Sequence, residues 1–136
     1  MNANPIPVSH ATRVVFVAPP PGLAPLVDFD LAPVEGAVGL SALRAVAVSD
    51  IRLFLVDPAQ YVPEYVPNVR PDQLAAVGAA NLEDVQIHVV ATIIEDAPVV
   101  NLIAPILVNP LTWSAAQVIL DGDDWPLQAP LAAFGD

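Results

Sequence analysis

The sequence predicts a mainly β protein, an antiparallel sandwich or barrel built as one domain. Three observations lead there. About seven or eight short segments are rich in Val, Ile, Leu and Phe and are bounded by turn residues, which is the pattern of small all-β folds. The 16 prolines of the 136 residues are scattered rather than clustered, so they punctuate many short strands. Only one short stretch reads as a helix, so strands do not alternate with helices as a parallel α/β sheet requires. A hydrophobic content of 55% is enough for a core and far too high for a disordered chain.

The elements follow in order. "TRVVFVA", 12–18, is β-branched and apolar, a first strand; "PPPGLAP", 19–25, is turn chemistry. "VDFDL", 27–31, alternates strictly, with Val27, Phe29 and Leu31 on one face and Asp28 and Asp30 on the other, the period of a half-buried strand. "VGLSALRAV", 38–46, suits a short helix or a strand equally. "IRLFLVD", 51–57, is a strand that stops at Pro58, and a loop over 58–70 follows. "PDQLAAVG", 71–78, reads as the helix: Pro71 stands where a missing N–H costs nothing, Asp72 faces the positive end of the dipole, and Gly78 suits the C′ position.

Beyond it, "VQIHVVATII", 85–94, is a long strand with Val85, Ile87, Val89, Ala91 and Ile93 on one apolar face. "EDAP", 95–98, is a turn. "VVNLIAPILVN", 99–109, resumes the strand, with Pro105 marking an edge or a bulge. "AQVILD", 116–121, is another strand, and "WPLQAPL", 125–131, an extended closing segment. Residues 1–11 are expected to be a flexible lead-in, 12–131 the domain and 132–136 a tail.

Charge and composition narrow the function. Fifteen acids face four basic residues, all arginine, for a net charge of −11. After Arg70 there is no Lys or Arg at all, which disfavours direct contact with a phosphate backbone; such a surface would attract a basic partner, but charge alone reads first as solubility. There is no cysteine, so there is neither a disulfide framework nor a thiolate metal site. The start carries no signal-peptide pattern, and the greasy runs "VVATII" and "IAPILV" are too short to span a bilayer; a cytoplasmic location is expected.

No catalytic constellation emerges. "DGDD", 121–124, lacks the spacing of a calcium loop and reads as an acidic turn. His10 and His88 are far apart and suggest no metal site, and a lone His on a strand is more often a satisfied or exposed side chain than a catalyst. The Glu83–Asp84 and Glu95–Asp96 pairs read as solvated turns rather than an acid–base dyad, and no serine sits in a nucleophile elbow. Neither an enzyme activity nor a cofactor is expected. Tyr61 and Tyr65 stand out instead: four apart in a proline-fixed loop with Glu64 between them, they supply contact area at low entropy cost. Tyr65 is expected to fold into the core and Tyr61 to face the surface.

Together these segments resemble the FliW family of flagellar assembly factors. "VDPAQYVPEY" is similar to its "DP…F(F/Y)P(D/E)Y" signature through Asp57, Pro58, Tyr61, Pro63, Glu64 and Tyr65. "NLIAPILVN" looks like "NL.APIV.N" through Asn101, Leu102, Ala104, Pro105, Ile106 and Asn109. "QVIL" matches "QV.L" through Gln117, Val118 and Leu120, and "WPLQAPL" resembles the closing "YPLR.PL" through Trp125, Pro126, Leu127, Pro130 and Leu131. The order and spacing agree over most of the chain.

The resemblance implies a small antiparallel β-barrel or pseudobarrel of two curled sheets with one short helix. It implies a non-enzymatic regulator, monomeric when free, that binds the RNA-binding repressor CsrA and so relieves repression of flagellin synthesis, with flagellin as the competing partner. Neither nucleic acid nor membrane is bound directly on this reading. The candidate partner-binding residues are Tyr61, Glu64 and Tyr65 in the loop, and Glu95 and Asp96 at the turn. Asp57, Asn101, Pro105 and Asn109 are assigned to fold definition. The chain departs from the family where "PGLAPL" replaces "PGLPGF", where a usually basic hairpin reads "LTWSAAQ", and where Gln128 replaces Arg. These departures favour a second hypothesis, a barrel of the same descent with a different protein partner. An acid-based hydrolase is a remote third.

Overall fold

The computed structural model describes residues 11–122 and 124–130. The expected N-terminal lead-in (residue 11 apart), with His10, and the expected tail, Asp123 and Leu131 lie outside the described residues.

Among the described residues, nine strands form one sheet: β1 (Thr12–Phe16), β2 (Asp28–Pro33), β3 (Leu40–Ala45), β4 (Arg52–Val56), β5 (Gln86–Ile94), β6 (Ala97–Val100), β7 (Ile106–Asn109), β8 (Ser114–Gln117) and β9 (Ala129–Pro130). The sheet order is β4-β3-β2-β1-β8-β7-β5-β6-β9, and a further β4–β5 pairing closes the first seven strands into a barrel. Closure removes the free edges that an open sheet would expose. β6 and β9 continue the sheet outside the ring.

Three apolar clusters follow from strand alternation. Val14, Phe16, Phe29, Leu43, Leu55, Ile106 and Val108 fill the barrel, and Phe16 meets Phe29 edge-on at 5.3 Å. Fully burying each of these large side chains contributes roughly 1.5–3 kcal/mol. The other two clusters lie on the outer face. One gathers Val56, Val62, Tyr65, Val89, Val100 and Leu102. The other packs Leu74 and Val77 of helix α2 (Pro71–Ala76) on Leu107, Ala116 and Val118. β7 is thus buried on both faces, which explains why "ILVN" reads as an unbroken apolar run.

Several expectations are corrected. The ring is not wholly antiparallel, because β1 and β8 run parallel through Val15↔Ser114 and Phe16↔Ala115. The stretch 99–109 is not one strand. It breaks between β6 and β7, where the Asn101 Oδ1 accepts the Ala104 N–H at 3.0 Å and turns the chain. Pro105 lies buried in that break, and its carbonyl accepts the Val118 N–H. The strand placed at 116–121 ends at Gln117; Val118 and Leu120 instead bond singly to Pro105 and Ile103.

The stretch 38–46 resolves to strand β3, because its alternate residues Leu43 and Ala45 complete the barrel interior. Nor is there one helix. Pro58–Tyr61 forms a second, α1, and Leu82–Asp84 a 3₁₀ turn. The Asp57 carboxylate caps α1 by accepting the Ala59 N–H at 3.0 Å, a local bond that four residues after a strand do not advertise by periodicity. The apolar face of β5 is present but not covered throughout, since Val89 is buried while Ile93 is 68% exposed.

The helix expected over 71–78 is α2, with Gly78 at φ +79 just beyond its end. Arg70 binds it to the barrel, bridging Asp72 and Asp121 at 3.0 and 2.9 Å. Asn109 is buried and does define the fold: its amide donates to the Val77 carbonyl at 2.8 Å, and its Oδ1 accepts the Leu111 N–H at 2.9 Å.

Candidate functional site

The loop after β4 is held at both tyrosines. Pro58 starts α1, the Val62 N–H closes it on the Pro58 carbonyl at 2.7 Å, and the Tyr65 N–H bonds Val62 at 2.9 Å. Tyr65 is buried. Its hydroxyl donates to the Leu102 carbonyl at 2.6 Å, and its ring meets Trp125 edge-on at 4.8 Å. Burial pushes its phenol pKa far above the ordinary tyrosine range. Of the expected contact residues, Tyr65 therefore anchors the loop, as its predicted core position requires.

Tyr61 is half-buried. Its hydroxyl donates to the Val38 carbonyl at 2.6 Å, so the ring lies across the turn before β3. Gly39 makes that approach possible: it has φ +81, and a Cβ there would stand 3.0 Å from the Tyr61 ring and from Gln60. The far side of the Tyr61 ring opens on an outer-face groove shared with Phe54, Ala91, Ile93 and Pro98. Glu64 between the tyrosines is exposed.

Glu95 and Asp96 are the two loop residues of the β5–β6 hairpin, between the paired Ile94 and Ala97. Both are exposed and both have positive φ, 51° and 67°. A two-residue hairpin loop of this kind favours Asn-Gly, so an acidic pair there is held at a backbone cost. Ile93 and Pro98, at the base of this hairpin, also line the groove reached by Tyr61. The structure thus brings Tyr61 and the acidic hairpin to one outer-face region.

A second cleft, about 780 Å³, opens beside the turn before β3 and is lined by Asp57, Gln86, His88 and Trp113 among others. Asp57 is occupied as the cap of α1. His88 is half-buried with its Nε2 3.2 Å from Gln86 Oε1, and burial lowers its pKa below 6.5 against a smaller opposing pull from Asp57. Among the described residues, no group of three or more His, Cys, Asp or Glu side chains could hold a metal ion, and no helix is long and apolar enough to cross a membrane. Sequence reasoning missed the cap of α1, the Arg70 bridge and the Gly39–Tyr61 contact; only the Asp-Pro pair at 57–58 signalled the first.

These features define a closed seven-strand β-barrel with short helices on its outer face and an acidic, aromatic-flanked hairpin. A solved structure described as the crystal structure of the flagellar assembly factor FliW superposes with a TM-score of 0.80 at 26% identity, over 88% of this chain and 84% of that one. The flagellar assembly factor FliW of Symbiobacterium thermophilum is 35% identical over 119 residues, 85% of this chain and 86% of the relative. Flagellar assembly factor FliW 2 of Desulfotalea psychrophila is 31% identical over 111 residues, 81% and 74% of the two chains. The FliW protein family model matches residues 2–131. The chain belongs to the FliW family of flagellar assembly factors.

Proposed function

We propose that this protein is a non-enzymatic, cytoplasmic regulator that binds a CsrA-like RNA-binding repressor and relieves its repression of flagellin synthesis, with flagellin as the competing partner. The observation that carries the reading is the hairpin tip. Glu95 and Asp96 are exposed in left-handed conformations that neither side chain prefers, on a chain of net charge −11. Conformational cost at an exposed acidic tip supports reading it as a contact surface, and acidic surface speeds encounter with a basic partner. Glu64 adds to that surface, Tyr61 supplies an adjacent apolar edge, and Tyr65 holds the loop that presents both.

The test is size-exclusion chromatography of the protein, a monomer on this reading, with CsrA and with flagellin from its own organism, at low and high salt. Co-elution with CsrA that weakens with salt, and displacement by flagellin, is the expected result. A folded protein that binds neither at micromolar concentration overturns it. That outcome would favour a barrel with a different protein partner, for which the absence of any Lys or Arg after Arg70 and the presence of Gln128 in the closing segment speak.

A further inference from the structure

Two of the four arginines face each other across a strand pair, and neither makes an ion pair among the described residues, although Asp30 is the other register partner of Arg44. Arg44 and Arg52 are direct register partners on β3 and β4, and both are exposed. The same row runs on across the sheet through Asp30 to Arg13. Asp30 is engaged by Arg13, whose Nε lies 3.0 Å from its Oδ1. Among the described residues the ion pairs are made by Arg13 and Arg70, and none by Arg44 or Arg52. Like charges directly opposite on a sheet are destabilising. With fifteen acids in the chain, the pairing is not forced by a shortage of partners.

Arg52 also ends an apolar groove. Its guanidinium lies over the Phe54 ring, 5.0 Å from the centroid. The groove, about 580 Å³, is lined by Phe54, Tyr61, Ala91, Ile93 and Pro98 together with Arg52, and among the described residues no acid lines it. Strand pairing explains why it exists. β4 and β5 are paired from Val56↔Val89 to Phe54↔Ala91 and no further, while β5 continues beside β6 to Ile94. Beyond Phe54 the two strands part. Tyr61 closes the groove at the Val56 end, and Ile93, 68% exposed, lies open at the arginine end.

We infer that this groove docks a short extended segment of a partner protein whose apolar side chains are followed by a carboxylate. The apolar side chains lie on Phe54, Ala91 and Ile93 with the Tyr61 ring as the end wall. The carboxylate meets Arg44 and Arg52, whose planar forks match it in bidentate geometry. Charge complementarity chooses this occupant. A basic segment would be repelled by the arginine pair, and a phosphate chain offers no apolar side chains to the groove floor. The parted strand edges at 52–53 and 92–94 suit an extended backbone, as in strand addition. This surface goes beyond the CsrA reading and does not depend on it, because it calls for a ligand of opposite charge to the one the acidic tip attracts.

Selection of a random peptide library on the immobilised full chain tests it. The expected outcome is enrichment of sequences with aliphatic or aromatic residues next to Asp or Glu. The best of these, synthesised with a fluorescent label, should bind in solution and lose at least about tenfold in affinity with Arg52→Glu and with Ile93→Asp. Ile93→Asp should melt as the parent does, and Arg52→Glu no lower than the parent, since it replaces a like-charge pair with an opposite-charge one. The same peptide with lysine for its acid should lose at least as much on the unaltered protein, a comparison that needs no mutant to fold. Enriched sequences without acids, no enrichment, or affinity unmoved by either protein variant overturns the inference. So does a dimer of the parent that Ile93→Asp dissolves, which would assign the groove to a second copy of this chain.

Discussion

The Tyr65 hydroxyl donates to the Leu102 carbonyl at 2.6 Å and joins the loop after β4 to the break between β6 and β7, 37 positions further along the chain. Two motifs that are remote in sequence, "VPEY" and "NLIAP", therefore form one joint. Tyr65→Phe keeps the ring packed on Trp125 but leaves the Leu102 carbonyl without its side-chain donor. The expected cost is about 1–3 kcal/mol in urea denaturation. On the proposed function, binding of a CsrA-like partner by the fraction that remains folded should be unchanged, because the hydroxyl is buried.

Gly39 and Tyr61 should behave as one unit. Gly39→Ala forces an alanine to φ +81 and sets its Cβ 3.0 Å from the Tyr61 ring. The backbone effect alone is about 1–2 kcal/mol. Part of the remainder disappears if the ring is absent. A double-mutant cycle of Gly39→Ala with Tyr61→Ala, read by urea midpoints, should therefore show a combined loss smaller than the sum of the single losses. Strict additivity would mean that the tyrosine swings clear at no cost.

The acidic hairpin separates stability from association. Replacing Glu95 with Asn and Asp96 with Gly supplies the residues that a two-residue loop of positive φ prefers, so the double variant should be more stable by about 1 kcal/mol. It also removes two charges from the tip, so if the proposed function holds, stopped-flow mixing with a CsrA-like partner should show slower association and a flatter salt dependence. Faster or unchanged association would count against the tip as the contact surface.

The parts of the fold that were legible are those written in local periodicity. Phe29 and Leu31 announce β2 by alternation, and Pro71, Asp72 and Gly78 frame α2. The break at 101–105 was signalled only by Pro105 as an edge or bulge; that the strand ends there was not legible, because the turn is made by one side-chain bond from Asn101 inside an apolar run. The parallel contact of β1 with β8 joins residues about a hundred positions apart, beyond the reach of any window of the sequence. For the site, the two tyrosines stand out in the sequence, but their division into buried Tyr65 and half-buried Tyr61 is set by tertiary partners, the Leu102 and Val38 carbonyls, that spacing does not reveal. The Arg44–Arg52 opposition is not legible either, since it needs the register of two strands.

His88 gives the protein a pH dependence of definite sign. It is half-buried beside Gln86, and burial holds its pKa below 6.5, with Asp57 offsetting only part of the effect. The unfolded chain, with its imidazole near 6.5, then takes up the proton first. The contribution of neutral His88 is complete above about pH 6.5 and is lost as pH falls from there toward the folded-state value. His88→Gln removes the titration while keeping a polar side chain beside Gln86. Urea midpoints measured from about pH 7.5 down to about pH 5 should fall more steeply for the parent than for the variant, and the two slopes should agree again above neutrality. Parallel curves throughout, or a directly titrated His88 above 6.5 in NMR, would show that the imidazole is solvated in the folded protein.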